Sequence, residues 1–311
     1  RMTPKVLFVA TMLRGHILVF HLPYMKWFQE RGYEVHLCAR NDTEEPVTDV
    51  PYCDRYFDLP FERSPLSAGN RAVAKKPKAI IDQNDYALIH CHTPVGGMLG
   101  RLCARGARRN GTKVAYTAHG FHFFTGAPLK NWLLFYPAER LLARYTDLLI
   151  TINGEDERRA RRFPARRVAR INGIGVDLSR FNVPVNREEV RASLGVGPEE
   201  PVLITVGEHS QRKNHEVLLR AAAKVPGAQV LLCGWGEKRE ELESLARELG
   251  ISDRVHFLGF RKDVPALLKA SDIFVFPSFQ EGLPVAQMEA MAAGLPCVVS
   301  DVRGNRDLIG P

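Results

Sequence analysis

No apolar run in these 311 residues approaches the roughly 20 needed to cross a bilayer as a helix. No secretory leader opens the chain, and the two absences together lead us to expect a cytoplasmic protein. No two cysteines stand in a Cys-x-x-Cys pair. Of the six, Cys38, Cys91, Cys233 and Cys297 lie in or beside apolar, strand-like runs, with Cys53 and Cys103 elsewhere. That pattern reads as free thiols in a reducing compartment rather than disulfides or a metal site. No nucleic-acid-binding module accompanies the net charge of +8, so nucleic acid is not expected as a partner.

What is present is the composition of a globular protein, 45% hydrophobic and 25% charged, at a length that suits two domains of about 150 residues each. The charge is unevenly spread. Residues 1–180 carry 28 Lys and Arg against 17 Asp and Glu, and residues 181–311 carry 15 against 18. The basic half also contains Pro128-Leu-Lys-Asn-Trp-Leu-Leu-Phe-Tyr-Pro-Ala-Glu-Arg-Leu-Leu-Ala-Arg-Tyr145, which mixes large apolar residues with cations. Such a segment suits an anionic membrane surface or a lipid diphosphate. It equally suits a core-facing helix whose long cations cover its rim.

Apolar runs recur along the first half: Lys5–Ala10, Glu34–Ala39, Ala87–Cys91, Lys113–Thr117 and Asp147–Ile152. Helical patterns separate most of them, as in Leu18–Arg31, which Gly32 stops. Lys75–Lys78 reads as a solvated loop or helix start. The chain turns polar and proline-bearing around Phe181–Pro201, where we expect the interdomain connection. The pattern then restarts with Val202–Val206, Val230–Cys233, Val255–Leu258, Ile273–Phe276 and Cys297–Ser300. Alternating strand and helix predict two α/β domains, 1–180 and 201–311 with a linker at 181–200, each a doubly wound parallel sheet. Ligands of such sheets bind beyond the carboxyl ends of the strands.

Most of the chemistry-bearing residues fall at such ends. Ser278-Phe-Gln-Glu-Gly-Leu-Pro-Val-Ala-Gln-Met-Glu289 puts Glu281 in a loop before an apolar helix and Glu289 in that helix's second turn. Two acceptor-only groups near helix amides suit a ligand rich in hydroxyls and phosphate, such as a nucleotide sugar. Arg212 and Lys213 follow the strand Val202–Val206 and offer the cations that a diphosphate leaving group needs. Gly15, in Arg14-Gly-His16, lets backbone amides approach phosphate oxygens. His90, His92, His119 and His122 lack zinc-ligand spacing, and no metal or other cofactor is expected.

Taken in order, several of these motifs resemble one family. Pro277-Ser-x-x-Glu-Gly-Leu-Pro284, the Glu281-x7-Glu289 pair and Ala293-Gly-Leu-Pro-Cys-Val-Val-Ser300 look like the donor site of family 4 retaining glycosyltransferases of the GT-B fold. Phe20-His-Leu-Pro-Tyr24, His90-Cys-His-Thr-Pro-Val-Gly97 and Tyr116–Leu129 resemble the branch that builds bacterial capsule and exopolysaccharide units. The likeness runs from Lys5 to Ile309. It implies two Rossmann-like domains facing a cleft and an enzyme that moves a sugar, with retention, from a UDP-sugar to a lipid-diphosphate-linked saccharide. Such an enzyme would be peripheral to the inner face of the plasma membrane.

By the same resemblance His119 meets the donor sugar, and Arg212 and Lys213 meet the diphosphate. Glu281 orients the sugar together with the amides of Gly282 and Leu283. Glu289 takes the ribose hydroxyls, Gly15 lines the diphosphate, and the nucleobase lies near Phe260 and Arg261. Many relatives carry an arginine where this chain has Glu208, an acid that must point away from a diphosphate or pair with a cation. Relatives usually run on several tens of residues past Asp307–Pro311, so a second domain incomplete at its C-terminus is expected, and Arg1 ahead of Met2 reads as an addition to the natural start. The alternatives are a donor-binding but inactive module or interaction subunit, and a GT-B nucleotide-sugar epimerase.

Overall fold

The computed structural model describes residues 3–309 apart from 44, 46 and 66, so the terminal residues Arg1, Met2, Gly310 and Pro311 discussed above lie outside the described residues. The chain forms two units, residues 1–173 and 174–311. In the first, strands β1 (Lys5–Met12), β2 (Glu34–Arg40), β3 (Arg55–Asp58), β4 (Tyr86–His92), β5 (Lys113–Ala118), β6 (Leu148–Thr151) and β7 (Val168–Arg170) form one sheet in the order β3-β2-β1-β4-β5-β6-β7. In the second, β8 (Val202–Val206), β9 (Gln229–Cys233), β10 (Val255–Gly259), β11 (Ile273–Phe276) and β12 (Cys297–Val299) are ordered β10-β9-β8-β11-β12. Every paired strand runs parallel to its neighbour.

The near-continuous apolar runs are explained by burial on both faces. In β1, Leu7 and Val9 enter one core, while Val6, Phe8 and Ala10 enter the core on the other face. In β9, Leu231 and Cys233 face one core and Val230 and Leu232 the other. Each sheet changes direction once: the chain leaves β1 for β2 and β3, then returns to place β4 on the other side of β1. In the second sheet β11 returns beside β8 in the same way. Crevices at the carboxyl ends of such strand pairs are where open α/β sheets bind ligands.

The expected connection at 181–200 is corrected. The division falls between Gly173 and Ile174, and residues 181–200 are folded into the second unit. Phe181 is buried in its core with Val196 and Val202, and helix Arg187–Ser193 holds Arg191 inside. Arg191 donates to the carbonyls of Pro198 at 2.8 Å and Ala270 at 2.9 Å, and to Asp272 Oδ2 at 2.7 Å. The polar, proline-bearing composition reflects those backbone contacts rather than a free tether.

Two edge strands, β3 and β7, were not legible as strands, since both are short and only partly buried. The helical run after β1 is broken at His21, and its last piece, Leu22–Gln29, starts with proline near its N-terminus. Lys75–Lys78 opens helix Lys75–Asp82. All six cysteines are free. Among the described residues no helix is long and apolar enough to cross a membrane.

The segment 128–145 forms helix Leu129–Leu142 and the turn Ala143–Tyr145. Trp132, Phe135 and Tyr136 pack on the core, while Leu129, Leu133, Leu134 and Leu141 are exposed. The helix is pinned by Arg101, which is fully buried. Its guanidinium lies 3.8 Å from the Tyr116 ring centroid, donates to the Gly97 carbonyl at 2.7 Å and pairs with Glu139 at 2.9 Å.

Candidate active site

In the second unit the site is built on β8 and β11, the neighbours where strand order turns. Behind β8 the chain makes the short 3-10 turn Gln211–Lys213, and Asn214, in the left-handed region at φ 54°, starts helix His215–Ala222. This turn buries Lys213, whose Nζ donates to Glu281 Oε1 at 2.7 Å and lies 4.4 Å from the Phe276 ring centroid. Arg212 Nη1 donates to the same oxygen at 3.2 Å and to the Gln280 carbonyl at 3.1 Å. Arg303 Nε holds the Glu281 carbonyl at 2.9 Å. Burial lowers the Lys213 pKa, and the attraction of Glu281 opposes it.

Sequence neighbours 68 and 69 positions apart thus meet at one carboxylate. Two cations meet one carboxylate, with the charge of Glu208 also acting on Lys213, and Arg212 keeps its outer edge in solvent, with its side chain 42% exposed. Glu281 thus orients N–H donors of the kind that suit an anion with several oxygens. Glu208, the acid that must avoid such a ligand, is exposed.

Glu289 lies in the second turn of helix Val285–Ala292, as expected, and pairs with Arg180 Nη1 at 3.1 Å. Burial raises its carboxyl pKa, with the Arg180 charge pulling the other way. Arg180 had no signal in the sequence, since it stands 109 positions from its partner. Gly282 and the buried Leu283 continue the Glu281 loop, and a Cβ on Gly304 would come within 2.6 Å of the Gly282 carbonyl. Arg261 spends its guanidinium on Asp263, at 2.7 and 2.6 Å. Beside it the exposed rings of Trp235 and Phe260 lie 5.3 Å apart.

The loops after β8 and β9 interlock. Gly207 N donates to the Cys233 carbonyl at 2.9 Å, and His209 N donates to the Trp235 carbonyl at 2.7 Å. A Cβ on Gly234, at φ +142°, would sit 1.9 Å from the Gly207 carbonyl oxygen. Gly234→Ala is therefore expected to destabilise the second unit by at least the ~1–3 kcal/mol of a strained backbone, and thermal unfolding measures it. An unchanged midpoint would show that the two loops separate freely.

In the first unit the candidate residues gather at the carboxyl ends of β1, β4 and β5. Gly15 lies in the turn Leu13–Ile17 that follows β1. Its amide, with that of Arg14, donates to the Asp42 carboxylate, at 3.0 and 2.6 Å. The amides expected to approach phosphate are held here by a carboxylate, an anion of similar hydrogen-bonding habit. Asp42 carried no signal in the sequence.

His119 follows β5 and its Nε2 is 3.3 Å from Nδ1 of His92, at the end of β4. His16 and His21 join them, with Nε2 atoms 2.9 Å apart. The histidines without ligand spacing in the chain do not act as a foursome: His122 packs on Phe135 and His90 bonds Thr117 Oγ1 at 2.9 Å. Burial keeps the clustered rings neutral, lowering the pKa of His16 to about 3 and of His90 and His119 to about 4, with His21 and His92 also lowered. A cavity of about 310 Å³ opens beside them, lined among others by Met98, Phe121, Phe123 and Phe135.

Comparisons with known proteins bear on the family and the fold. Residues 5–153 match the family described as glycosyl transferase 4-like, and residues 186–311 match glycosyl transferases group 1. The chain is 44% identical over 316 aligned positions to EpsD of Bacillus subtilis (strain 168), itself only provisionally described as a glycosyltransferase, covering 99% of this chain and 81% of that one. It is 31% identical to the UDP-Gal:alpha-D-GlcNAc-diphosphoundecaprenol alpha-1,3-galactosyltransferase of Escherichia coli, covering 79% of this chain and 67% of the relative. The crystal structure of Anabaena HepE with UDP and glucose has the same fold, with a TM-score of 0.78 at 21% identity, over 99% of this chain and 83% of that one. The two parallel-sheet units, the motifs at their switch points and these relatives lead to one assignment: the chain belongs to the group 1 glycosyltransferases, with a glycosyl transferase 4-like domain at its N-terminal side and the GT-B fold.

Proposed function

We propose that this glycosyltransferase moves a sugar from a UDP-sugar to a lipid-diphosphate-linked saccharide during assembly of a cell-surface polysaccharide, with retention at the anomeric carbon. The observation that carries the reading is the Arg212–Glu281–Lys213 group, whose paired cations suit a diphosphate. In the transfer step the bond from anomeric carbon to phosphate oxygen breaks, and UDP leaves with its electron pair. The acceptor hydroxyl forms the new bond from the same face and gives its proton to the departing phosphate. Arg212 and Lys213 stabilise the charge that develops there, so the step needs no metal or other cofactor. Glu281, with the amides of Gly282 and Leu283, orients the sugar, and His119 and Gly15 are the first unit's contributions.

Glu289 accepts from the ribose hydroxyls, and Trp235 and Phe260 offer the base its stacking surface, next to Arg261. The choice of UDP is supported by the name of the Escherichia coli relative and by the UDP in HepE. The same relative's name supports a lipid diphosphate as acceptor. The exposed leucines of helix Leu129–Leu142, beside the exposed cations Lys130, Arg140 and Arg144, support peripheral attachment to an anionic inner membrane surface from the cytoplasmic side.

Incubating the protein with UDP-sugars and a lipid-diphosphate saccharide, then assigning the product's anomeric configuration by NMR, tests the reading. Transfer with the donor's configuration is expected. An inverted product would contradict the mechanism, and UDP-sugar consumption without any acceptor would point to a different enzyme.

A further inference from the structure

Six cations gather in the first unit at the end of its sheet away from the histidines and Gly15. A concavity of about 370 Å³ opens at the amino ends of β5, β6 and β7, lined by Arg105, Arg108, Arg109, Lys113, Arg144 and Arg166. They come from helix Arg105–Arg109, the start of β5, the turn Ala143–Tyr145 and the residues ahead of β7. Asp147 is the only acid lining the hollow, and its oxygens are already engaged. They accept from Arg108 Nη2 and Nε at 2.9 Å each, and one also accepts from the Val114 amide at 2.9 Å. Among the described residues no ion pair engages Arg105, Arg109, Lys113, Arg144 or Arg166.

Two of these cations are held in place. Arg108 is fixed by Asp147 and by the Arg144 carbonyl at 3.2 Å, and the Arg105 guanidinium rests over the half-buried Tyr145 ring, 4.8 Å from its centroid. A guanidinium stacked on a ring keeps its N–H donors for an anion. Cations spread over a convex surface are simply solvated, whereas cations around a hollow repel one another and focus their field into it. A phosphate group answers that field with three oxygens, enough to meet several guanidinium forks at once, where a carboxylate fills one. We propose that this concavity binds a phosphate group carrying more than one negative charge, a phosphomonoester or a diphosphate, borne by a soluble ester or by a lipid headgroup. It is a second anion site, distinct from Arg212 and Lys213 in the other unit and independent of the proposed sugar transfer.

Backbone-amide NMR of the whole chain, titrated with inorganic pyrophosphate at fixed ionic strength, reads this site locally. Saturable shifts are expected at Thr112, Lys113 and Thr146, whether or not pyrophosphate also occupies the donor site. Arg105→Gln combined with Arg109→Gln should weaken that binding at least about 10-fold, the loss of one charge-assisted hydrogen bond. Arg166→Gln, on another segment, should do the same, and all three side chains are exposed, so folded variants are expected. Arg71→Gln combined with Lys130→Gln removes equal charge from the same unit outside the hollow and should leave the affinity unchanged. Vesicles of phosphatidylcholine with phosphatidic acid, a phosphomonoester, or with phosphatidylserine at matched surface charge separate the two sources. A preference for phosphatidic acid that the Arg105 and Arg109 variant loses assigns the site to a lipid headgroup. Equal retention on both lipids, with the pyrophosphate shifts present, assigns it to a soluble ester. Absence of saturable shifts at those amides in the wild-type protein overturns the proposal. Unchanged affinity in the arginine variants, or equal weakening in the control pair, overturns it as well.

Discussion

Lys213→Met is expected to lower sugar transfer by about 10²- to 10³-fold, the loss typical of removing one donor aimed at charge that develops in a transition state. The methionine fills the slot against Phe276 with an unbranched chain of similar length but carries no charge. Glu281 keeps Arg212 at 3.2 Å, so its carboxylate is not abandoned. The stability cost should then fall short of the ~3–5 kcal/mol of a buried charge left wholly unpaired. The loss should appear mainly in kcat, with a smaller change in UDP affinity, because the charge on the leaving phosphate grows as the bond breaks. Lys213→Arg should not rescue the rate, since a planar fork does not fit a slot shaped for an ammonium beside a ring. A Lys213→Met enzyme with wild-type kcat would remove this lysine from the chemistry.

Mild acid should open the first unit before the second. Six histidines of the first unit, His16, His21, His36, His90, His92 and His119, have lowered pKa values, against His209, His215 and His256 in the second. Burial is the first cause in every case, and in the cluster the neighbouring rings add to it. A ring whose folded pKa lies below its unfolded value of about 6.5 favours the unfolded chain once the unfolded form binds its proton. Stability from these rings is therefore present above about pH 6.5 and is lost as pH falls toward their folded values, by up to ~1.4 kcal/mol per ring per pH unit. With His16 near 3 and His90 and His119 near 4, the loss begins above the range where most carboxylates titrate and continues into it. Hydrogen exchange at pH 7 and pH 5 should show β1, β4 and β5 losing protection earlier than β8 and β11. Equal protection at both values would mean that the cluster already holds its protons when folded.

The legible parts of this protein were those where local pattern and burial coincide. Val202–Val206 and Ile273–Phe276 appear as strands over the expected residues because one face of each is buried and apolar residues of the other are partly buried against a second core. Glu281 and Glu289 occupy the loop and the second helical turn that Gly282-Leu-Pro284 forecasts. The edge strands Arg55–Asp58 and Val168–Arg170 were silent, since both are short, only partly buried and carry arginine at an end. Arg180 at Glu289, Asp42 at the Gly15 amide and Arg303 at the Glu281 carbonyl are pairings across sequence distance, which no periodicity records. The histidine cluster was hidden for the same reason. His16 stood in a noted turn and His21 in a noted motif, but only the order of β1, β4 and β5 brings them to His92 and His119.

The account depends most on a uridine nucleotide bound by the second unit, and calorimetry of UDP, with GDP and ADP alongside, tests this directly in the wild-type protein and in Glu289→Ala. UDP should bind more tightly than the other two, and Glu289→Ala should weaken it about 10-fold, the effect of losing hydrogen bonds to a charged acceptor worth roughly 1.5 kcal/mol. Failure of UDP to bind, or equal affinity in the two proteins, would contradict the assignment of Glu289 and of the donor site built around it.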